Sequence, residues 1–418
     1  MAEIAAQLPE KLTTSDGRPL KAALAAAQSK AKWRAFLLVL PLLAFVLITF
    51  IVPIGQMLQR SVYHDGFSSG TPTLSAWFAA NPGAEPDEAA YSALVTDLRQ
   101  MKIDKRDAMA GTRINYNLSG TVSLFKSTAR NAAKMEPPYM AAMLAEDTDW
   151  GNPRLWQAMR AASNPYTTDF YMVAADLERD AAGGIVKVNE NKRVYRFLFV
   201  KTFYLSAIIT VVCLLLAFPI AHLLATLPMA KANLLLILVL LPFWTSLLVR
   251  TTSWIVLLQG QGVANNVLVA MGMVDDGDRL KMIYNQAGTI IVMTHILLPF
   301  MVLPLYSVMK TIPPSYARAA RSLGATSWTT FRRIYLPQTL PGIGAGALLV
   351  FILAVGYYIT PALVGGADGQ LISNLIDFHM DKSNWSLAAA LAALLLAGVL
   401  VLYWLYDRLI GIDRLKLG

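Results

Sequence analysis

Polar and aromatic side chains interrupt an otherwise apolar stretch near the middle of the chain. Within residues 241–258 they include Trp244, Thr245, Ser246, Arg250 and Trp254. Polar groups at membrane depth are costly, so such side chains usually face a cavity or a partner helix. They are candidates for the lining of a path that carries a polar solute. The alternative is that Arg250 reaches the outer membrane interface and Trp254 anchors the helix there.

Three more candidates for such a path follow later in the chain, at Tyr357, Tyr358 and Asp377. The apolar runs contain almost no Asp or Glu, so a cationic solute would have few carboxylates to bind within them. Aromatic faces can replace them, because each attracts a cation by about 0.5–2 kcal/mol. Asp377 precedes the last apolar run and is a candidate carboxylate at the mouth of the path. Each aromatic residue taken singly is explained equally well by helix packing or interface anchoring.

Residue patterns for catalysis, cofactors or metals are absent from the sequence. The four histidines lack ligand-like spacing, and the single cysteine, Cys213, lies within an apolar run as a small packing residue. No G-x-x-x-x-G-K-[ST] motif occurs, so the chain has no loop of that kind to hold ATP. We therefore expect no catalytic, cofactor or metal residues in this chain.

The composition is that of a membrane protein, because 56% of the 418 residues are hydrophobic and only 15% are charged. The net charge of +9 would suit nucleic acid, but the basic residues lie largely beside apolar runs, where lipid headgroups and membrane topology explain them. We predict an all-α fold with six transmembrane helices, at 35–55, about 200–226, 233–258, 287–309, 342–364 and 387–410.

Residues 56–195 contain most of the acidic residues and no run long enough to cross a bilayer. They predict a soluble, mainly helical, extracytoplasmic insertion without a sheet, with helices at 87–103, 118–135, 137–147, 152–162 and 166–181. The predicted organisation is therefore an N-terminal cytoplasmic amphipathic segment at 1–34, the first span at 35–55, the insertion at 56–195, a core with five further spans at 196–410, and a cytoplasmic tail at 411–418.

Residues 310–340 form the loop between the fourth and fifth spans, and their five cations predict a cytoplasmic position. The prolines at 313–314 end the preceding helix, and Ser315 is placed to cap a new helix rich in alanine. Gly324 suits the left-handed residue that ends this helix, and Ser327 can cap the next one.

This loop resembles the EAA motif of importer-type ABC permeases, which reads roughly Glu-Ala-Ala, three residues, Gly, and later an isoleucine and Leu-Pro. The matching residues are Ala319, Ala320, Gly324, Ile334, Leu336 and Pro337. Arg318 stands where the family usually has glutamate, which bears on how the loop meets its partner. The alternative is an ordinary helical hairpin between two spans.

The resemblance implies the fold of a type I ABC importer permease, in the bacterial inner membrane with both termini in the cytoplasm. It also implies partners: cytoplasmic ATPase subunits that hold ATP and Mg²⁺, a second permease subunit, a periplasmic substrate-binding protein and the surrounding membrane lipid. The insertion would lie where the binding protein docks. Nucleic acid is not an expected partner.

Two further stretches resemble permeases for polyamines and opines: the PFW-TS-LVRT-W pattern at 242–254 and TPALVGG at 360–366. They imply a substrate such as spermidine or putrescine, while an opine or another small polar compound stays open. A stand-alone secondary transporter is a second class, although it would be expected to carry acidic residues within its spans. A membrane-anchored enzyme is a third class, but no catalytic constellation appears in residues 56–195.

Overall fold

The computed structural model describes residues 20–116, 118–180 and 184–410, and the described residues divide into two compact units between 59 and 60. Helix α1 (Leu20–Val46) continues through a π-helical turn (Leu47–Ile51) into α2 (Val52–Val62). Residues 28–62 are long and apolar enough to cross a membrane. Helix α1 is uninterrupted where the sequence predicts a boundary at 34/35, and the predicted segment at 1–19 lies outside the described residues.

The insertion is mainly helical, as predicted. Its helices are α3 (Pro72–Ala80), α4 (Glu88–Ile103), α5 (Met109–Asn115), α6 (Thr121–Asn131), α7 (Tyr139–Glu146), α8 (Pro153–Ser163) and α9 (Asp169–Ala174). Helices α3 to α8 enclose one hydrophobic core, whose buried residues run from Phe67 to Ala162. Asp87 and Asn152 cap α4 and α8, because their side-chain oxygens accept backbone N–H groups of the first turn at 2.9 and 3.0 Å.

The predicted helix at 166–181 was wrong in its second half. It ends at Ala174, and an antiparallel hairpin follows, in which β1 (Leu177–Arg179) pairs with β2 (Ile185–Lys187). Asp176 has a φ of 55°, a left-handed conformation that cannot continue a right-handed helix. Strands of three residues are too short to show alternation in the sequence, so the absence of a sheet was also a wrong prediction. Helices α3 and α5 were not predicted.

The membrane part follows from α10 onward. Its helices are α10 (Tyr195–Thr226), α11 (Met229–Leu240), α12 (Leu247–Leu258), α13 (Val263–Ala270), α14 (Gln286–Thr311), α15 (Pro314–Ser322), α16 (Ser327–Thr330), α17 (Leu336–Gly356), α18 (Ile359–Val364), α19 (Gly366–Gly369), α20 (Ile372–Asp381) and α21 (Trp385–Ile410). Within the described residues, five helices are long and apolar enough to cross a membrane, and a bent pair makes a sixth span when it is counted as one. That pair, 229–244 and 247–270, is bent by 98°, so the span predicted at 233–258 is broken rather than straight.

Helices α10, α14 and α17 pack against one another and enclose the core of the bundle. Small residues on α17 permit a close approach to α14. A Cβ added at Gly342 would lie 3.1 Å from the Pro304 carbonyl oxygen, and one added at Gly346 would lie 2.7 Å from Met301 Sδ. Glycine therefore sets the separation of these two helices, in the manner typical of membrane bundles.

The insertion and the loop between α14 and α17 lie at opposite ends of the bundle. At one end, α9 packs on α21 in an apolar cluster that buries Phe170 and Leu391. At the other end, Lys310 Nζ donates to the Ala225 carbonyl oxygen at 3.4 Å and joins the last turns of α14 and α10. The 32 residues of α10 span the distance between these ends, about 48 Å at 1.5 Å per residue.

Candidate transport path and loop surface

The loop predicted to meet a partner consists of α15, α16 and a π-helical turn, and residues 314–335 are called the loop surface below. Gly324 ends α15 with a φ of 85°, as predicted. Large apolar side chains point outward here, since Leu323 is 89% and Trp328 is 68% exposed. Of the residues at the positions of the family motif, the exposed ones are Arg318, Ala319, Gly324 and Pro337, and the half-buried ones are Ala320, Ile334 and Leu336. Exposed cations and large apolar groups together suit a protein partner.

Both predicted helix caps in this loop were wrong, the first by two residues and the second by one. Helix α15 begins with Pro314 at its first position and Pro313 at the cap, so Ser315 lies inside the helix. Proline is favoured at the first position because its missing N–H needs no partner there. The second helix is capped by Thr326 rather than Ser327, since Thr326 Oγ1 accepts the backbone N–H two residues beyond Ser327 at 3.2 Å.

An aromatic row joins the loop surface to α10. The Trp328 and Phe331 rings are stacked with centroids 5.7 Å apart, and the Phe331 and Tyr335 rings are stacked at 6.2 Å. The Tyr335 hydroxyl lies 2.9 Å from His222 Nδ1 on α10, a contact that sequence reasoning missed. The spacing of the aromatic residues, three and then four positions apart, was the available indication in the sequence, because residues so spaced share one face of a helix. The row includes the π-helical turn at 331–335, a distortion frequent at functional sites.

The break in the bent span is held together by Arg250. Its guanidinium donates to the carbonyl oxygen of Pro242 and, at 3.0 Å, to that of Thr245. Ser246 caps α12, because its Oγ accepts the Val249 N–H at 3.2 Å. Irregular backbone at membrane depth requires such partners for its freed carbonyl groups. Arg250 therefore supplies hydrogen-bond donors to the carbonyl groups freed by the break. The two interpretations of Arg250 from the sequence, a path lining and an interface anchor, did not include this role.

Polar contacts fasten α12 to its neighbours. Trp254 Nε1 donates to His295 Nδ1 on α14 at 3.0 Å, and the two rings meet edge to face with centroids 5.2 Å apart. Thr251 Oγ1 lies 3.5 Å from Thr360 Oγ1 on α18, and both residues are fully buried. His295 was not among the predicted site residues, although a histidine isolated in an apolar run is itself an indication of a polar partner.

The backbone of the TPALVGG stretch (360–366) lies in close contact with the backbone at the start of α14. Tyr284 N–H donates to the Val364 carbonyl oxygen at 2.8 Å. A Cβ added at Gly365 or Gly369 would lie 2.6 or 2.4 Å from Thr289 Oγ1, closer than real Cβ atoms approach. Glycine is therefore required here by packing rather than by contact with a solute.

The structure brings some of the predicted path residues together. The Arg250 guanidinium lies within electrostatic range of both His295 and Tyr357. With the contact between Trp254 and His295, this defines the path cluster: Arg250, Trp254, His295 and Tyr357. Its hydroxyl, aromatic and guanidinium groups can donate hydrogen bonds and stack on a solute.

The other predicted path residues have different surroundings. Trp244 is 77% exposed, and Thr245 belongs to the break itself. The Tyr358 carbonyl oxygen accepts from Asn374 Nδ2 on α20 at 2.7 Å. Asp377 is half-buried on α20, a helix at the insertion end of the bundle. Among the described residues, no group of three or more His, Cys, Asp or Glu side chains is arranged to hold a metal ion.

A helical bundle with a broken span and an exposed cationic loop surface at one end indicates a multi-pass membrane protein. The chain belongs to the family of binding-protein-dependent transport system inner membrane components, whose model matches residues 181–410. The match leaves out the helical part of the insertion.

Known proteins place the chain within that family. It is 37% identical over 211 residues to spermidine/putrescine transport system permease protein PotB of Escherichia coli (strain K12), covering 50% of this chain and 76% of that protein. It is 31% identical over 249 residues to inner membrane ABC transporter permease protein YdcU of the same organism, covering 56% and 76%. A crystal structure of a bacterial alginate ABC transporter, in complex with an alginate pentasaccharide-bound periplasmic protein, matches with a TM-score of 0.47 and 18% identity over 71% of this chain and 99% of that chain. The sequence matches confirm the predicted identity as an ABC importer permease of the polyamine group, a transport subunit of the inner membrane.

Proposed function

We propose that this chain is one of two permease subunits in an ATP-driven importer, and that it forms half of the path for a polyamine such as spermidine or putrescine. The observation that carries the proposal is the loop surface, which is helical, exposed and cationic in a chain of an importer family. Its partners would be two ATPase subunits that hold ATP and Mg²⁺. A second permease subunit and a periplasmic binding protein would complete the assembly.

The distribution of charge supports an orientation with the loop surface in the cytoplasm. Residues 310–340, at this end of the bundle, contain five cations: Lys310, Arg318, Arg321, Arg332 and Arg333. Cytoplasmic loops carry such an excess of lysine and arginine. The insertion, at the opposite end, would then lie in the periplasm and both chain termini in the cytoplasm.

The contacts of the loop surface support a route for the movement. ATP-driven closure of the ATPases would shift α15 and α16, and the aromatic row would carry that shift to α10 through Tyr335 and His222. Transport requires two discrete packings with different affinity for the solute. The break at 245–246 is the part of the bundle suited to such a change, because its backbone is held by Arg250 side-chain bonds instead of helical ones.

The aromatic faces of the path cluster support a cationic substrate. Trp254 and Tyr357 can each contribute roughly 0.5–2 kcal/mol of cation–π attraction, and Asp377 would receive the cation at the mouth. A second candidate substrate is an opine, because Arg250 is a positive charge that attracts carboxylates and repels polycations. Stimulation of ATP hydrolysis by the binding protein, loaded with spermidine, putrescine or an opine in turn, distinguishes the two.

Co-purification tests the role of the loop surface. The tagged chain, extracted gently from its native membrane, is expected to bring an ATPase and a second permease with it. Leu323→Asp, at a side chain that is 89% exposed on the loop surface, should abolish ATPase recovery. Met273→Asp, at a side chain that is 66% exposed outside the loop surface, should leave it unchanged. Recovery of the chain without an ATPase would instead support a stand-alone transporter.

We further propose that the insertion is a docking or gating domain for the binding protein. The two ends of its helical part lie together, because Tyr63 and Tyr166 form an antiparallel bridge and His64 N–H donates to the Pro165 carbonyl oxygen at 2.8 Å. Residues 65–164 can therefore be replaced by a short glycine linker while the hairpin and α9 remain. Weaker binding of the binding protein to the shortened assembly is expected, and unchanged affinity would refute the docking role.

A further inference from the structure

A cleft of about 490 Å³ lies at the insertion end of the bundle, between the first turns of α10, the start of α14 and α19. The apolar part of its lining comes from three side chains of α10: Phe197, Val200 and Tyr204. Two opposite charges complete it, Lys201 on α10 and Asp368 on α19. The transport mechanism proposed above uses none of these residues.

The two charges are held apart within the cleft. They lie within electrostatic range of one another, but no ion pair of 4.0 Å or less joins them among the described residues. The Lys201 ammonium lies 5.4 Å from the centre of the Phe197 ring instead, and Asp368 is exposed. Two separated charges of opposite sign complement a ligand that itself carries an anion and an ammonium. A polyamine, which carries only positive charge, fits this cleft poorly.

The apolar wall of the cleft continues along α10. Phe197, Val200 and Tyr204 are 64%, 71% and 57% exposed, and the same face goes on through Val211 and Leu215 at 55% and 68%. This row runs for about 27 Å at 1.5 Å per residue, close to the hydrocarbon thickness of a bilayer of about 30 Å. The opposite face of α10 is buried in the bundle core. The cleft therefore opens onto a face suited to acyl chains.

We propose that the cleft binds one phospholipid whose headgroup carries a phosphate and a primary ammonium, as phosphatidylethanolamine does. The phosphate lies at Lys201, the ammonium at Asp368, and an acyl chain covers the exposed row of α10. The lipid joins α10 to α19 across a gap that no side-chain ion pair closes, and so it stabilises the insertion end of the bundle.

The full-length chain, purified in mild detergent and exchanged into nanodiscs, tests this by native mass spectrometry of the lipids it retains. Wild type is expected to retain phosphatidylethanolamine in preference to phosphatidylglycerol, which lacks the ammonium, and to phosphatidylcholine, whose quaternary ammonium has no N–H donor. Lys201→Met should lower retention of all three by roughly tenfold, since hydrogen bonds to charged groups are the strong ones. Asp368→Asn should remove only the preference for phosphatidylethanolamine.

The chain supplies matched controls at nearby positions. Lys382 also lies over an aromatic ring, 5.7 Å from the centre of Phe378, but outside the cleft, so Lys382→Met should not change retention. Asp381→Asn removes an exposed carboxylate at the end of α20 and should likewise have no effect. Equal retention of the three lipids by wild type, or equal losses in the cleft and control variants, would overturn the proposal. So would retention of inorganic phosphate alone, or displacement of the lipid by spermidine or a second subunit.

Discussion

Asp176 provides the sharpest test of how the insertion is attached to the membrane bundle. Its carboxylate is buried and accepts three backbone N–H groups at the start of α10, from Val194 at 3.1 Å, Tyr195 at 3.2 Å and Arg196 at 2.8 Å. The residue at the cap position, Val194, has no side chain able to do this. A carboxylate of the insertion therefore supplies the cap and the favourable charge for a transmembrane helix.

The expected cost of removing the charge follows from these contacts. Asp176→Asn keeps one acceptor oxygen and tolerates the φ of 55°, but it loses the charge and the acceptor for Arg196 N–H. A hydrogen bond to a charged group contributes about 1.5–3 kcal/mol, and the interaction with the helix terminus contributes about 0.3–1 kcal/mol. We therefore expect a loss of about 2–3 kcal/mol, which corresponds to a thermal midpoint lower by roughly 2–4 °C for a chain of this length.

The assay combines fluorescence-detected thermal unfolding with limited trypsin cleavage of the purified chain. Release of the cap should speed cleavage after Arg193 and Arg196, which border the start of α10. Glu178→Gln removes an exposed carboxylate from the same hairpin and is the matched control, with no expected change. If Asp176→Asn behaved like this control in both measurements, the reasoning that a remote carboxylate caps α10 would be wrong.

Three other predictions concern the path, the packing and the response to pH. Trp254→Phe removes the bond to His295, worth about 1 kcal/mol, and should slow substrate uptake by roughly fivefold. Gly369→Ala places a Cβ 2.4 Å from Thr289 Oγ1 and should lower the free energy of unfolding by about 1–3 kcal/mol, measured by thermal unfolding. Burial, and secondly the charge of Arg113, lowers the pKa of His64 below 6.5. The unfolded chain then binds the proton more readily, so this stability is complete above pH 6.5 and is lost as the pH falls through the lower folded value. In His64→Gln, the thermal midpoint should depend less on pH below 6.5.

Two of these predictions have a control variant in the same chain. Trp244→Phe changes an indole that is 77% exposed and should leave uptake unchanged. Gly356→Ala adds a Cβ with no heavy atom within 4 Å and should not lower the thermal midpoint. Equal effects at Trp254 and Trp244, or at the two glycines, would contradict the contacts described. A His64→Gln profile parallel to that of wild type below pH 6.5 would show that another group is responsible.

Local signals predicted the loop between α14 and α17 well. The prolines at 313–314 end one helix and Gly324 ends the next, because the missing N–H and the positive φ act within a few residues. The choice among neighbouring caps was less certain, since Ser315, Thr326 and Ser327 are all suitable residue types. The predicted roles of the motif residues on the loop surface stay predictions.

Arg250 shows where sequence reasoning about the path ended. Its position in an apolar run indicated an unusual role, but the two interpretations considered were a path lining and an interface anchor. Its partners are the carbonyl groups of Pro242 and Thr245, and these become available only because the span is bent by 98°. A straight helix over the same residues would have bonded those carbonyls internally.

The sequence by itself determined that the chain crosses the membrane several times, which stretch forms the helical insertion and where the cationic loop between two spans lies. Those features depend on the length of apolar runs, on charge beside them and on residues that break helices, all of which act locally. The tertiary structure decided which polar groups meet. Asp176 caps a helix about twenty residues away, Trp254 bonds a histidine 41 residues away, and Thr202 Oγ1 accepts the N–H of Ile372, 170 residues away. A buried polar group must find a partner, but only the packing of the helices determines which one it finds.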